Sequence, residues 1–176
     1  MDRAELASSI MRIAHLTGEF RLRSGVTANE YFDKYRFESD PRLLREVARH
    51  LVPLIPTDTE ILAGLELGGV PIAAALALET GLPAAFVRKE AKAYGTRRLA
   101  EGVDVAGRRL LVVEDVITSG GQVVISTEQL RALGASIASV VCVIDRQSGG
   151  AEALSKIDLR LSALFTKDQL EASVVR

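Results

Sequence analysis

Four short apolar runs, each followed by a stretch of different periodicity, restrict this chain more than any other feature. Residues 61–65 (Ile-Leu-Ala-Gly-Leu), 84–88 (Ala-Ala-Phe-Val-Arg), 110–113 (Leu-Leu-Val-Val) and 137–144 (Ile-Ala-Ser-Val-Val-Cys-Val-Ile) are almost unbroken by charge. Strands that read this way are buried on both faces, which is the habit of parallel sheets covered by helices. Helical signals fall between them. Pro71 opens a helix over 71–78 that Gly81 and Pro83 end, and residues 121–133 place Val123, Thr127 and Leu130 on one side before Gly134 stops them. A further strand is expected over 159–165, with a short helix after it. Upstream, 3–16 reads as a helix with Leu6, Ile10, Ile13 and Ala14 on one side. Ser39-Asp40-Pro41 supplies a cap and a first-turn proline for a helix over 41–52. The stretch 20–37, with Gly25 and Tyr31-Phe32, reads as irregular strand and loop. The fold class is therefore α/β: an open, mainly parallel sheet with helices on both faces, in one domain over 1–176. Such sheets bind ligands at the carboxyl ends of their strands.

Bulk properties narrow the partners. A net charge of −1, with no Lys/Arg tract, gives nothing to hold a polyanion, so nucleic acid is not expected. The first sixteen residues mix acidic and basic charge in an amphipathic pattern unlike a secretory leader. No apolar run approaches a bilayer span, so no membrane is expected either. The one cysteine, Cys142, lies inside an apolar run and reads as a buried, inert thiol in a cytoplasmic, reduced setting.

The chemistry-bearing stretch follows the third apolar run: Glu114-Asp115-Val116-Ile117-Thr118-Ser119-Gly120-Gly121-Gln122. Gly120 and Gly121 let the backbone come close to an anion, with successive N–H groups forming a nest. The helix start behind them adds partial positive charge. Thr118 and Ser119 offer hydroxyl donors. Glu114 and Asp115 would repel the same phosphate, so they are expected to face hydroxyls or a bound cation. No Gly-Lys-Ser/Thr follows, so this is no Walker A loop, and the two acids set it apart from a dinucleotide fingerprint. The plainer alternative is a helix capped by Ser119 or Thr118, with the acids merely exposed.

This segment resembles the signature of the type I phosphoribosyltransferases, which bind phosphoribosyl pyrophosphate (PRPP). The resemblance implies that Glu114 and Asp115 contact the ribose hydroxyls and that Thr118, Ser119, Gly120, Gly121 and Gln122, with Val116 and Ile117 leading in, hold the 5-phosphate. It also implies a small N-terminal hood within 1–37. A second stretch, Arg88-Lys89-Glu90-Ala91-Lys92-Ala93-Tyr94, leaves a strand and enters a polar segment reaching to Val105. Loops of that length are commonly lids, and cations at the root suit a pyrophosphate leaving group whose charge grows as its bond breaks. They could equally be solvated surface charges. The stretch is similar to the catalytic loop of orotate phosphoribosyltransferases. The likeness implies pyrophosphate contacts from Arg88, Lys89, Lys92 and Tyr94, a catalytic role for Lys92, and a flexible lid over 90–104 shared across a homodimer. The family often has histidine where Tyr94 stands.

Asp145-Arg146 matches a pair in which the orotate enzymes use the arginine on the base. Guanidinium grips a carboxylate such as orotate's bidentately, although Arg146 could instead pair with a neighbouring acid. Thr118 would share the orotate contact, and Tyr31-Phe32 falls where the family often places aromatics beside the pyrimidine. Two departures stand out: Gly68 where some orotate enzymes carry lysine, and Arg23 for the lysine of an early Lys-Ser-Gly. His15 and His50 read as structural. The implied cofactor is Mg²⁺, held mainly through PRPP and water rather than by protein ligands. Three readings stand side by side: an orotate enzyme, an enzyme for another base, and a non-catalytic PRPP-binding regulator.

Overall fold

The computed structural model describes residues 1–21, 25, 27–91 and 98–174. Alternation along β6 (Arg109–Ile117) shows why the sheet lies at the centre. Leu111 and Val113 face one core; Leu110 and Val112 face the other. The first core is covered by α1 (Arg3–Ala14), α3 (Pro41–Leu51), α4 (Gly69–Thr80) and α7 (Lys167–Ala172). The second is covered by α5 (Gly121–Ala132) and α6 (Gly150–Ser155). Val123, Thr127 and Leu130 are all buried under α5, as their spacing predicts. Cys142 is buried in the same layer, where desolvation pushes its thiol pKa up.

The six-stranded sheet runs β5–β4–β3–β6–β7–β8. Here β3 is Ile61–Leu65, β4 Ala84–Val87, β7 Ser136–Asp145 and β8 Arg160–Thr166, and these pair parallel with their neighbours and with β6. Only β5 (Ala100–Glu101) is antiparallel, at the edge beside β4. From β3 the chain crosses to β4 through α4 on one face; from β6 it crosses to β7 through α5 on the other. Because β3 and β6 are neighbours, their outgoing turns part and leave a crevice, the usual ligand position in such sheets.

Several elements differ from expectation. The strand expected over 110–113 continues to Ile117, because β7 pairs with it as far as the Ile117–Asp145 partners. The two acids therefore belong to a central strand. Residues expected to be irregular form an antiparallel pair, β1 (His15–Arg21) and β2 (Thr27–Phe32), followed by α2 (Tyr35–Glu38). The first helix stops at Ala14, so His15 opens β1 instead of closing a helix. The far end of the expected 90–104 lid is sheet edge: Leu99, Ala100 and Val105 are buried, and β5 hydrogen-bonds to β4. Short β5 and α6 carry too few residues for a periodic signal, and neither was expected.

Candidate active site

The turn leaving β6 is built to leave amides free. Gly120 sits at the N-cap of α5 with φ +75, and no side chain caps that terminus among the described residues. Thr118, Ser119, Gly121 and Gln122 are exposed. This removes the plainer alternative in which Ser119 or Thr118 caps the helix. Gln122 turns along the helix, its Nε2 donating to Ser126 Oγ at 3.1 Å. The turn is buttressed from behind by α6: a Cβ on Gly150 would lie 2.6 Å from Ile117 Cγ2 and 2.7 Å from the Thr118 carbonyl oxygen. Glycine at 150 is what lets α6 press this close. Exposed hydroxyls, a left-handed glycine and a helix N-terminus are the parts from which anion-binding turns are built.

A few residues upstream of that exposed turn, the acids are out of the water. Asp115 is fully buried and Glu114 nearly so. Glu114 Oε1 accepts the Asp115 N–H at 3.0 Å, and Asp115 Oδ1 accepts the Val116 N–H. Asp115 Oδ2 meets the Lys34 ammonium at 2.6 Å. Where a ligand hydroxyl or a bound cation was expected, the charge facing Asp115 is a lysine of the protein itself. Burial and the neighbouring Asp115 carboxylate push Glu114 up to about 9. Burial would raise Asp115 as well, but hydrogen bonds from Glu114 and Lys34 outweigh it and hold that carboxyl low. Desolvation would lower Lys34, yet its hydrogen bond to Asp115 raises it. Glu38 is buried too, and burial beside Asp115 pushes it to about 9.

The turn between β3 and α4 joins this cluster to the cations after β4. Gly69 packs on the Val113 carbonyl, and a side chain at Gly68 would fall on the Asp115 carboxylate. Glu66 accepts the Lys89 N–H at 3.1 Å, while its own N–H donates to the Val87 carbonyl. Arg88 leans on Glu101 of β5, 3.5 Å away. Arg88 and Lys89 thus stand at the same sheet end as the β6 turn, with the β3–α4 turn between them. Lys92 and Tyr94 lie outside the described residues.

Arg146, directly after β7, ties back by its N–H to the Ile117 carbonyl at 2.9 Å, and its side chain is exposed. It shares a cleft of about 510 Å³ with Ala28, Asn29, Glu30, Tyr31 and Phe32 of β2. Tyr31 stacks on Phe20 across the β1–β2 pair, ring centroids 5.5 Å apart. The arginine and the aromatic pair, more than a hundred residues apart in sequence, therefore line one space. Sequence reasoning missed Lys34, Glu38, Glu66 and Gly150. Only Gly150, in a Gly-Gly pair just after a strand, carried a local signal.

The chain belongs to the phosphoribosyltransferase family: the phosphoribosyl transferase domain matches residues 37–166. Its relatives narrow the class. It is 54% identical, over 97% of its length and 95% of the relative's, to the orotate phosphoribosyltransferase of a Nocardioides species. The Halobacterium salinarum enzyme of that name is 43% identical, with 87% of each chain covered. A Mycobacterium tuberculosis orotate phosphoribosyltransferase solved with PRPP superposes with a TM-score of 0.83 at 32% identity, covering 97% of this chain and 99% of that one. The adenine phosphoribosyltransferase of Leishmania donovani, at 18% identity and TM-score 0.72 over 98% of this chain and 84% of that one, shares the fold alone.

Proposed function

We propose that this chain is an orotate phosphoribosyltransferase, joining orotate to the phosphoribosyl group of PRPP to give orotidine 5′-monophosphate and pyrophosphate. The observation that carries this reading is the uncapped, exposed start of α5 directly behind two buried acids. The orotate-enzyme relatives and the cleft pairing Arg146 with Tyr31 and Phe32 support the choice of base. In this reading the amides and hydroxyls of Thr118, Ser119, Gly120, Gly121 and Gln122 hold the 5-phosphate, with Val116 and Ile117 delivering the turn. Glu114 and Asp115 hold the ribose as positive charge grows at C1, and Arg146 and Thr118 orient the orotate. Arg88, Lys89, Lys92 and Tyr94 face the pyrophosphate, whose charge rises as the C1–O bond breaks.

Among the described residues no group of three His, Cys, Asp or Glu side chains could hold a metal ion. The donor set, one carboxylate paired with Lys34 and Glu114 pushed up to about 9, suits an ion carried by the pyrophosphate, the ribose and water. Mg²⁺ so held would neutralise part of the leaving group's charge. Among the described residues no helix is long and apolar enough to cross a membrane. We place the reaction in the cytoplasm, in a homodimer whose lid, ending before the buried Leu99, reaches the neighbouring site. The exposed Phe86, paired with Glu101 of the edge strand β5, supports an interface there. The test is pyrophosphate release by purified protein given PRPP, Mg²⁺ and a panel of bases. Orotate should be the active base, and activity confined to adenine or hypoxanthine would overturn the choice. Lys92→Ala should lower turnover far more than PRPP affinity; equal losses would reject its transition-state role.

A further inference from the structure

Lys34 belongs to none of the motifs used so far, yet it touches the least accessible acid in the crevice. Asp115 has no exposed side-chain surface, whereas a third of Lys34 remains exposed, and the two meet at 2.6 Å. Gly68 closes a second side of the carboxylate, because no side chain can stand there without displacing it. Glu38, four residues after Lys34, closes a third. Both Glu38 carboxyl oxygens are buried without a donor among the described residues, and the Asp115 carboxylate is within hydrogen-bonding reach. Two acceptors so placed need a proton between them. Burial keeps that proton on Glu38, whose pKa is pushed to about 9.

Asp115 is thus gripped through Oδ1 by the Val116 N–H, and on its far side by an ammonium and a carboxyl group from the segment around α2. A cation from position 68 is sterically excluded, so the charge opposite this acid comes from the hood. Resting on the phosphoribosyl-transfer reading above, we propose that Lys34 is the positioning residue of the ribose-binding acid: its ammonium pins Asp115 over Gly68, aimed to accept a ribose hydroxyl of PRPP. The Asp115 side chain is covered, so the hydroxyl reaches it as the partly exposed ammonium yields to PRPP, each carboxylate oxygen having two acceptor sites. Without Lys34 the buried carboxylate would be left unpaired among Glu38 and Glu114, and would take up a proton or turn away.

The test is a double-mutant cycle on the full chain, with PRPP, Mg²⁺ and orotate, for wild type, Lys34→Gln, Lys34→Arg, Asp115→Asn and Lys34→Gln/Asp115→Asn. Lys34→Gln should raise KM for PRPP about tenfold or more and leave KM for orotate within about twofold. Lys34→Arg, which keeps the charge, should recover most of that loss. In the Asp115→Asn background Lys34→Gln should add less than about twofold, because its effect runs through the missing carboxylate. Equal loss in both backgrounds, an equal rise in both KM values, or no loss would overturn the proposal. Melting temperatures identify any variant that fails to fold, and the Arg variant keeps the test alive. Wild type that neither turns over nor binds PRPP would remove the functional reading and this inference together. Active wild type with an unchanged Lys34→Gln would remove the inference alone.

Discussion

At the carboxyl end of β6, two features a few residues apart handle charge in opposite ways. The turn keeps Thr118, Ser119 and Gly121 exposed around a buried Gly120, and among the described residues no side chain caps α5. The cluster of Lys34, Glu38, Glu114 and Asp115 is packed inside, and its charges answer one another. The turn is pre-organised by backbone shape and, in the proposed function, receives an outside anion. The cluster is pre-organised by side chains whose protonation states depend on each other. Changes at the turn should therefore act on ligand binding with little effect on folding. Changes at the cluster should act on both and should depend on pH.

The largest expected effect tests that pH dependence. Glu38 is pushed from its ordinary 4.5 to about 9, chiefly by burial and then by Asp115, against an opposing pull from Lys34 and with a smaller push from Asp33. Between those values the folded chain holds a proton that the unfolded chain has released. Stability is then fully present below about 4.5 and is lost as pH rises through about 9. The slope is at most about 1.4 kcal/mol per pH unit for each such proton, and Glu114 is shifted in the same direction. Urea denaturation at several pH values across that window should show stability falling as pH rises. Glu38→Gln, which cannot titrate, should remove its share of the slope. Parallel pH curves for wild type and variant would break the picture of a proton shared inside the cluster.

A smaller effect separates the two regions directly. Gly68→Ala places a methyl group on the Asp115 carboxylate, so that acid must move while the turn at Gly120 does not. Loss of kcat/KM by about a hundredfold, roughly 2.7 kcal/mol of transition-state stabilisation, is expected. Affinity for inorganic phosphate, which the turn alone would hold, should stay within about threefold of wild type, since independent sites couple weakly. If both quantities fell together, turn and cluster would be one mechanical unit.

The same division decides what could be read from the sequence. The turn was legible because everything it needs is adjacent: an apolar run, two acids, two hydroxyls, two glycines and a helix. The parallel sheet and the burial beneath α5 were legible for a similar reason, since periodicity is local. The cluster was not, because it joins positions 34, 38, 68 and 115. Lys34 and Glu38, four apart, look like a solvated helical pair. Only the packing of α2 beside buried Phe37 turns Glu38 inward. The strand also ran on through Glu114 and Asp115 against the usual exposure of acids, and pairing with β7 decided that. Gly68 could be read only as a missing lysine. In the structure it is the space that Asp115 occupies.

The smallest expected effect tests whether the start of α5 is reserved for a ligand or is an ordinary helix end. α3 supplies the internal control, because Asp40 caps it, accepting from the Arg42 N–H at 2.9 Å and the Leu43 N–H at 3.1 Å. Asp40→Ala should cost about 1 kcal/mol of stability, as loss of a working cap does. Ser119 is exposed and caps nothing, so Ser119→Ala should change stability by no more than about 0.5 kcal/mol, the range of surface substitutions. Its cost should appear in PRPP affinity, as one lost hydrogen bond of about 0.5–1.5 kcal/mol. Thermal melts of both variants, paired with PRPP titrations, give the comparison. If Ser119→Ala were destabilised like Asp40→Ala and bound PRPP unchanged, the hydroxyl would be a cap in solution. The anion cradle would then rest on the glycine backbone alone.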